Sequence, residues 1–130
     1  ADLMKNKKIK GNIVQFSSIY GVVGQDTNLY KGTKMRENIS YAAIKGGIIS
    51  VTKLMASYYG RYNIRINTIC PGGVQDKQNK IFLKNYGKKT PLGRLAKKDE
   101  ITNPVIFLSS EASSYITGAT LIVDGGLTII

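Results

Sequence analysis

The chain has 130 residues, and its 19 Lys plus Arg against 8 Asp plus Glu give a formal net charge of +11. It contains no histidine and one cysteine, which excludes Ser-His-Asp and Cys-His catalysis, histidine-containing zinc sites and thiolate clusters, so we expect no metal site. No apolar run approaches the ~20 residues of a membrane span and no signal peptide is apparent, so we expect a cytoplasmic protein with no membrane partner.

The chain opens with a polar segment and a strand. Residues 1–10 are typical of the end of a polar helix, and Gly11 breaks that helix. The β-branched run 12–17 predicts a buried strand. Residues 25–38 are polar and carry no apolar period, so we interpret them as a long loop, a feature that is usually functional or disordered.

Residues 40–59 form the clearest predicted helix, because apolar side chains recur there at spacings of three and four. Ser40 is a plausible N-cap for this helix. Gly46 and Gly47 lie inside it, and each costs up to ~1 kcal/mol relative to alanine. Small residues at these positions indicate that another helix or a ligand approaches closely.

The second half of the chain continues the alternation of strands and helices. Residues 64–70 predict a second strand, 76–89 one or two short basic helices, 99–110 a further helix and 119–123 a third strand. The order strand, helix, strand, helices, strand favours parallel strands joined by helical crossovers. Three strands make a small sheet, so we predict an α/β fold that is half of a doubly wound domain.

Three short features of the sequence point to chemistry. Tyr41 and Lys45 are four residues apart on the predicted helix, so their side chains share one face. A lysine ammonium about 6 Å away favours the phenolate form of a tyrosine, which allows proton exchange near neutral pH. Ser18 follows the first strand, at the sheet edge where ligands bind in parallel α/β folds. Pro71 and Gly72 bring bare backbone to the same edge, where it could pack against a flat ring.

Four segments taken together resemble the classical short-chain dehydrogenase/reductase family. In chain order they are residues 13–21, the YAAIK run 41–45, the INTICPGGV run 66–74 and residues 115–126. Their order and nearly all their spacings match the family, and the resemblance covers essentially the whole chain. It implies a Rossmann-type three-layer sandwich and hydride transfer between NAD or NADP and a carbonyl/alcohol pair.

The resemblance also implies roles for individual residues. The catalytic residues would be Ser18, which orients the substrate oxygen, Tyr41 as general acid/base, and Lys45, which favours the phenolate. The cofactor-binding residues would be Tyr41, Lys45, Pro71, Gly72 and Val74. It implies further that the long helix and the last strand pack against their copies, giving a homodimer or homotetramer.

Three departures from the family pattern matter. The N-terminal half, with its glycine-rich pyrophosphate turn, is missing, so we expect residues 1–130 to be a single partial domain that is inactive alone. NAD and NADP are not distinguishable without that half. Ser18 and Tyr41 are 23 residues apart, about ten more than usual, and a loop lengthened in this way is commonly functional. This insertion resembles a subgroup linked to flagellin-glycan and surface-sugar synthesis. Asp76 stands where the family often has a threonine that touches the cofactor.

Two basic stretches predict an anionic substrate, with a phosphorylated or nucleotide-linked sugar as the favoured class. Five lysines follow the Pro71-Gly72 turn, and the long loop adds three further cations: Lys77, Lys80, Lys84, Lys88 and Lys89, then Lys31, Lys34 and Arg36. Basic residues on both sides of a cleft would raise the local concentration of an anion. The alternative is that these side chains are only solvated surface.

Two other functions stay open. The chain could be a truncated, non-catalytic fragment that serves as an oligomerisation or interaction module, which a glycine-rich GxxxGxG turn encoded upstream would argue against. The charge of +11 could also indicate a nucleic-acid binder. We expect no nucleic-acid partner, because no recognised reading motif occurs and the lysines are not interleaved with a stacking surface.

Overall fold

The computed structural model describes all 130 residues, which form seven helices and strands besides short 3₁₀ turns. The helices are α1 (Asp2–Asn6), α2 (Ile39–Tyr59), α3 (Lys80–Lys89) and α4 (Lys98–Ser109). The strands are β1 (Gly11–Phe16), β2 (Ile64–Pro71) and β3 (Thr120–Val123). Each element lies within a few residues of its predicted position, and the segment 76–89 holds one helix. None of the helices is both long and apolar enough to cross a bilayer.

The three strands form one parallel sheet in the order β1-β2-β3. Helices cover both faces of the central strand. Thr68 of β2 contacts Thr52 of α2, whereas Arg65 donates to the Leu108 and Ser110 carbonyls at the end of α4. Because residues 65 and 68 point to opposite faces of a strand, α2 and α4 lie on opposite sides. The structure thus confirms an α/β fragment with the layers of a Rossmann-type fold.

Helix α2 begins at Ile39, two residues earlier than an N-cap at Ser40 would allow. Asn38 is the N-cap, and its Oδ1 accepts a hydrogen bond from the Tyr41 N–H at 3.0 Å. The assignment of Ser40 as N-cap is therefore wrong. Both residue types cap helices equally well, so the sequence gives no basis for choosing between them.

No other segment of this chain packs tightly against the two glycines of α2, Gly46 and Gly47. A Cβ on Gly46 would find its nearest neighbour at 3.8 Å, and one on Gly47 would find none within 4 Å. Gly21, in the loop after β1, is the crowded position. A Cβ there would lie 2.7 Å from both the C and the O of Lys45, so this loop packs directly against the backbone of α2.

The long loop 25–38 is more ordered than its lack of period suggests. Its 3₁₀ turn Thr27–Tyr30 buries Leu29 and Tyr30, which are 1 % and 9 % exposed. The Tyr30 ring stacks on Phe82 of α3 with centroids 6.1 Å apart. This packing joins residues that are far apart in sequence, so local periodicity could not indicate it.

Candidate active site

Ser18 lies directly beyond the carboxyl end of β1 and is only 6 % exposed. It caps the 3₁₀ turn that follows, and its Oγ accepts a hydrogen bond from the Tyr20 N–H at 3.2 Å. Accepting that bond leaves the hydroxyl proton of Ser18 free to be donated to another group. The serine is thus held in place by the backbone while it keeps its donor.

Tyr41 and Lys45 lie in the first two turns of α2 and share one face, as the spacing predicts. The Lys45 ammonium is 5.5 Å from the centroid of the Tyr41 ring and donates to the Phe16 carbonyl at 2.9 Å. The tyrosine is 39 % exposed, so its side chain remains accessible. The lysine therefore links the tyrosine to the end of β1, two residues before Ser18.

The backbone around Lys45 is tied to the loop after β1 by a second contact. The Ser17 hydroxyl donates to the Lys45 carbonyl at 2.7 Å, on the side where Gly21 leaves no room for a side chain. Cys70, at the end of β2, is fully buried nearby. Burial raises the pKa of its thiol above the ordinary value, which makes this cysteine a poor nucleophile.

A cleft of about 330 Å³ opens at this edge of the sheet. It is lined by three of the residues singled out from the sequence, namely Ser18, Tyr41 and Gly72. The other predicted residues lie outside its lining. Lys45 has its ammonium 5.5 Å from the Tyr41 ring, Pro71 pairs with Val123 of β3 as the last residue of β2, and Val74 bridges to Ala96.

The floor of the cleft is aromatic, which the sequence did not reveal. Tyr20, Tyr30, Phe82 and Tyr86 line it, and the Tyr30 hydroxyl donates to that of Tyr20 at 3.2 Å. Burial raises the pKa values of the Tyr20 and Tyr86 hydroxyls, so both stay protonated. Tyr20 could have been suspected because it follows Ser18 so closely. Tyr86 could not, because only the tertiary fold brings α3 to this edge.

The basic residues are arranged differently from the prediction of two charged rims. Arg36 is the one charged residue that lines the cleft. Neither Lys31 nor Lys34 lines it, and neither does any of the five lysines between residues 77 and 89. Lys89 instead forms an ion pair with Asp26 at 3.0 Å. The sequence shows how many lysines follow Gly72 but not which way they point.

The residues beside the cleft are chemically suited to a nicotinamide riboside. The Lys45 ammonium has three N–H donors, and a single bond, to Phe16, uses one of them. Two donors therefore remain for hydroxyl groups such as those of a ribose. Pro71, Gly72 and Val74 are half-buried and uncharged, as a surface that packs against a flat ring should be.

Comparison with known proteins places the chain in a family. A family model described as enoyl-(acyl carrier protein) reductase matches residues 1–128. The chain belongs to the short-chain dehydrogenase/reductase family, as its four motifs predict. It spans about half the length of most of the curated relatives it matches.

Relatives of known name show how widely this family varies. The chain is 37 % identical to post-translational flagellin modification protein A of Campylobacter coli, over 92 % of this chain and 47 % of that protein. It is 40 % identical to the 3-oxoacyl-[acyl-carrier-protein] reductase of Chlamydia trachomatis, over 93 % of this chain and 46 % of that protein. A Leptospira borgpetersenii short-chain dehydrogenase with bound NAD+ is similar in structure, with a TM-score of 0.88 and 43 % identity over 98 % of this chain and 48 % of that one.

Proposed function

We propose that the chain forms the catalytic part of an oxidoreductase that moves a hydride between NAD or NADP and a carbonyl/alcohol substrate. The observation that carries the proposal is the shared cleft of Ser18 and Tyr41, with the Lys45 ammonium 5.5 Å from the tyrosine ring. Relatives with bound NAD+ and with bound NADP are both known, so either cofactor is compatible with the proposal.

In this proposal each residue acts on the reacting oxygen or holds the groups that do. The Ser18 hydroxyl, whose proton is free, donates to the substrate oxygen. The Tyr41 hydroxyl gives its proton to that oxygen as the carbonyl becomes an alcohol, and takes a proton in the reverse direction. The Lys45 ammonium stabilises the phenolate that remains and offers its free donors to the ribose. The nicotinamide ring, when bound, supplies or accepts the hydride.

The serine provides a direct test in the protein expressed from its complete reading frame. Ser18→Ala removes the donor to the substrate oxygen, and removing one such donor typically lowers kcat about 10²- to 10³-fold. Ser57→Ala, at an exposed position near the end of α2, is the matched control and should leave kcat unchanged. Oxidation of NADH or NADPH by carbonyl substrates, followed by absorbance, reports both. Equal kcat in the two variants would contradict the role of Ser18.

For the substrate we propose an anionic compound, with a phosphorylated or nucleotide-linked sugar as the favoured class. Arg36 in the cleft and the similarity to a flagellin modification protein support this choice. Neutral and phosphorylated forms of one sugar should differ in kcat/KM, and the preference should weaken as salt is added. Equal and salt-independent values for the two forms would refute the anionic class.

A second candidate, a non-catalytic fragment that acts as an oligomerisation module, is favoured by the surface of α2. Several apolar side chains of this helix are exposed, including Ile44 at 61 % and Leu54 at 71 %. Exposed apolar patches commonly mark interaction surfaces. The same observation supports a homodimer or homotetramer of the enzyme, which we propose together with a cytoplasmic location. Hydride transfer that depends on Ser18 would exclude the non-catalytic alternative.

A further inference from the structure

Three residues of the long loop line the cleft and carry N–H groups that have no partner in the chain. They are Gln25, Arg36 and Asn38. Each comes from the segment between Ser18 and Tyr41, and hydrogen bonds connect Gln25 to Asn38 and Asn38 to Tyr41. Arg36 and Asn38 are solvent-exposed and Gln25 is half-buried, so these donors are accessible to a ligand that supplies acceptors.

The orientation of the two amides follows from what they bind. The Asn38 N–H donates to Gln25 Oε1 at 2.8 Å, and the Tyr41 N–H donates to Asn38 Oδ1 at 3.0 Å. A backbone N–H can only donate, so each side chain must turn its oxygen toward the backbone. Both NH₂ groups are thereby left without a hydrogen bond in the chain. The backbone N–H groups fix which end of each amide is the oxygen and which is the NH₂.

Arg36 adds the only charge of the cleft lining. Its guanidinium makes no ion pair and no side-chain hydrogen bond, and neither acid of the loop 25–38 pairs with it. Glu37 makes no ion pair, and Asp26 is paired with Lys89. The Arg36 side chain is solvent-exposed, so its guanidinium is accessible to an anion that enters the cleft.

We propose that Gln25, Arg36 and Asn38 form a subsite for an oxyanion group of the substrate, a carboxylate or a phosphate. This deepens the proposed function and rests on it, because the oxyanion group would be held at one side of the cleft while the reacting oxygen meets Ser18 and Tyr41. A guanidinium and two amide NH₂ groups supply N–H donors, from which the oxygens of a carboxylate or phosphate accept hydrogen bonds. The bonds to Asn38 and Tyr41 couple the subsite to the start of α2.

The subsite can be tested by binding, without cofactor or turnover. Inorganic phosphate and malonate are titrated calorimetrically at low salt into the protein expressed from its complete reading frame. We expect at least one of them to bind, and the stronger of the two identifies the oxyanion as phosphate or carboxylate. Arg36→Gln should weaken that binding tenfold or more. Lys34→Gln makes the same charge change in the same loop outside the cleft lining, and should change binding less than twofold.

Two isosteric variants test the amides without disturbing the loop. Asn38→Asp and Gln25→Glu keep the oxygen that accepts from the backbone and replace the free NH₂ by a second oxygen. Both should fold with an unchanged Tm, since aspartate is also a good N-cap, and both should lose anion binding at least as completely as Arg36→Gln.

Two results would overturn the subsite. One is a wild-type protein that binds neither anion, and the other is equal weakening by Arg36→Gln and Lys34→Gln. Hydride transfer is measured separately, so a protein that binds the anions but transfers no hydride would refute the proposed function and not the binding of an oxyanion.

Discussion

Replacing Gly21 by alanine should disturb the contact between the loop after β1 and helix α2. The added Cβ would lie 2.7 Å from the carbonyl carbon and oxygen of Lys45 and 2.9 Å from the Ser17 hydroxyl oxygen. Two of these atoms belong to the backbone of α2, so no side-chain rotation can relieve the overlap. Either the loop or the helix must move, and Lys45 moves with the helix.

The size of the effect follows from the kind of overlap. Forcing one extra methyl group into a packed site typically costs about 1–3 kcal/mol. Because the neighbours are backbone atoms, we expect Gly21→Ala to lie in the upper part of that range. The Ser17 bond to the Lys45 carbonyl, 2.7 Å long, occupies the same space and should weaken as well. A shift of Lys45 relative to Ser18 should also lower kcat/KM.

Gly24→Ala is the matched control in the same loop, because a Cβ there meets nothing within 4 Å. It should change the free energy of unfolding by at most ~0.5 kcal/mol, as surface substitutions usually do. Urea denaturation of both variants measures the difference, and the reductase assay measures kcat/KM. A Gly21→Ala protein as stable and as active as Gly24→Ala would show that the loop does not brace the helix.

Two further predictions concern stability at low pH and assembly. The Arg94 guanidinium, 2.6 and 2.7 Å from the Glu100 carboxylate, and the Lys97 N–H lower the pKa of Glu100 to about 2. Because folding lowers the pKa of Glu100, its carboxylate stabilises the folded protein at pH values above the ordinary pKa near 4.5. This contribution to the free energy of unfolding is lost as the pH falls toward 2. The Tm of Glu100→Gln should therefore depend less on pH across this interval than the Tm of the wild type, and Arg94→Gln should behave in the same way. If the Tm of both variants changed with pH as the wild-type Tm does, the pairing of Arg94 with Glu100 would be contradicted. Leu54→Arg, on the exposed apolar face of α2, should shift a homodimer or homotetramer toward monomer in sedimentation, and a wild-type protein that is monomeric at micromolar concentration would refute the assembly.

The sequence predicts the framework well because its signals are local. Alternating β-branched residues mark β2, and the spacing of Tyr41 and Lys45 places them on one face of a helix. The edge position of Ser18 follows from the parallel order of the strands. These statements need only the period of an element and the rule that ligands bind at the carboxyl edge.

What the sequence does not predict depends on contacts between distant segments. Tyr30 is buried by Phe82 and Tyr86 is brought under Gly73 only when α3 folds back over the long loop. The direction of a lysine side chain is likewise set by tertiary packing. The sequence therefore predicts two basic rims, whereas the structure places only Arg36 in the lining of the cleft. The Asn38 cap could not be separated from Ser40 because both residue types serve that role.

The most direct test of the account is Tyr41→Phe in the protein expressed from its complete reading frame. The change removes one hydroxyl that the proposal assigns to proton exchange with the reacting oxygen, a role usually worth 10²- to 10⁴-fold in rate. We expect turnover to fall by that factor while the Kd for NADH or NADPH stays nearly constant. Tyr115→Phe, at a fully exposed tyrosine outside the cleft, should retain wild-type turnover. Turnover of Tyr41→Phe within about threefold of wild type, far below the loss that removing an acid/base causes, would contradict the assignment of the site.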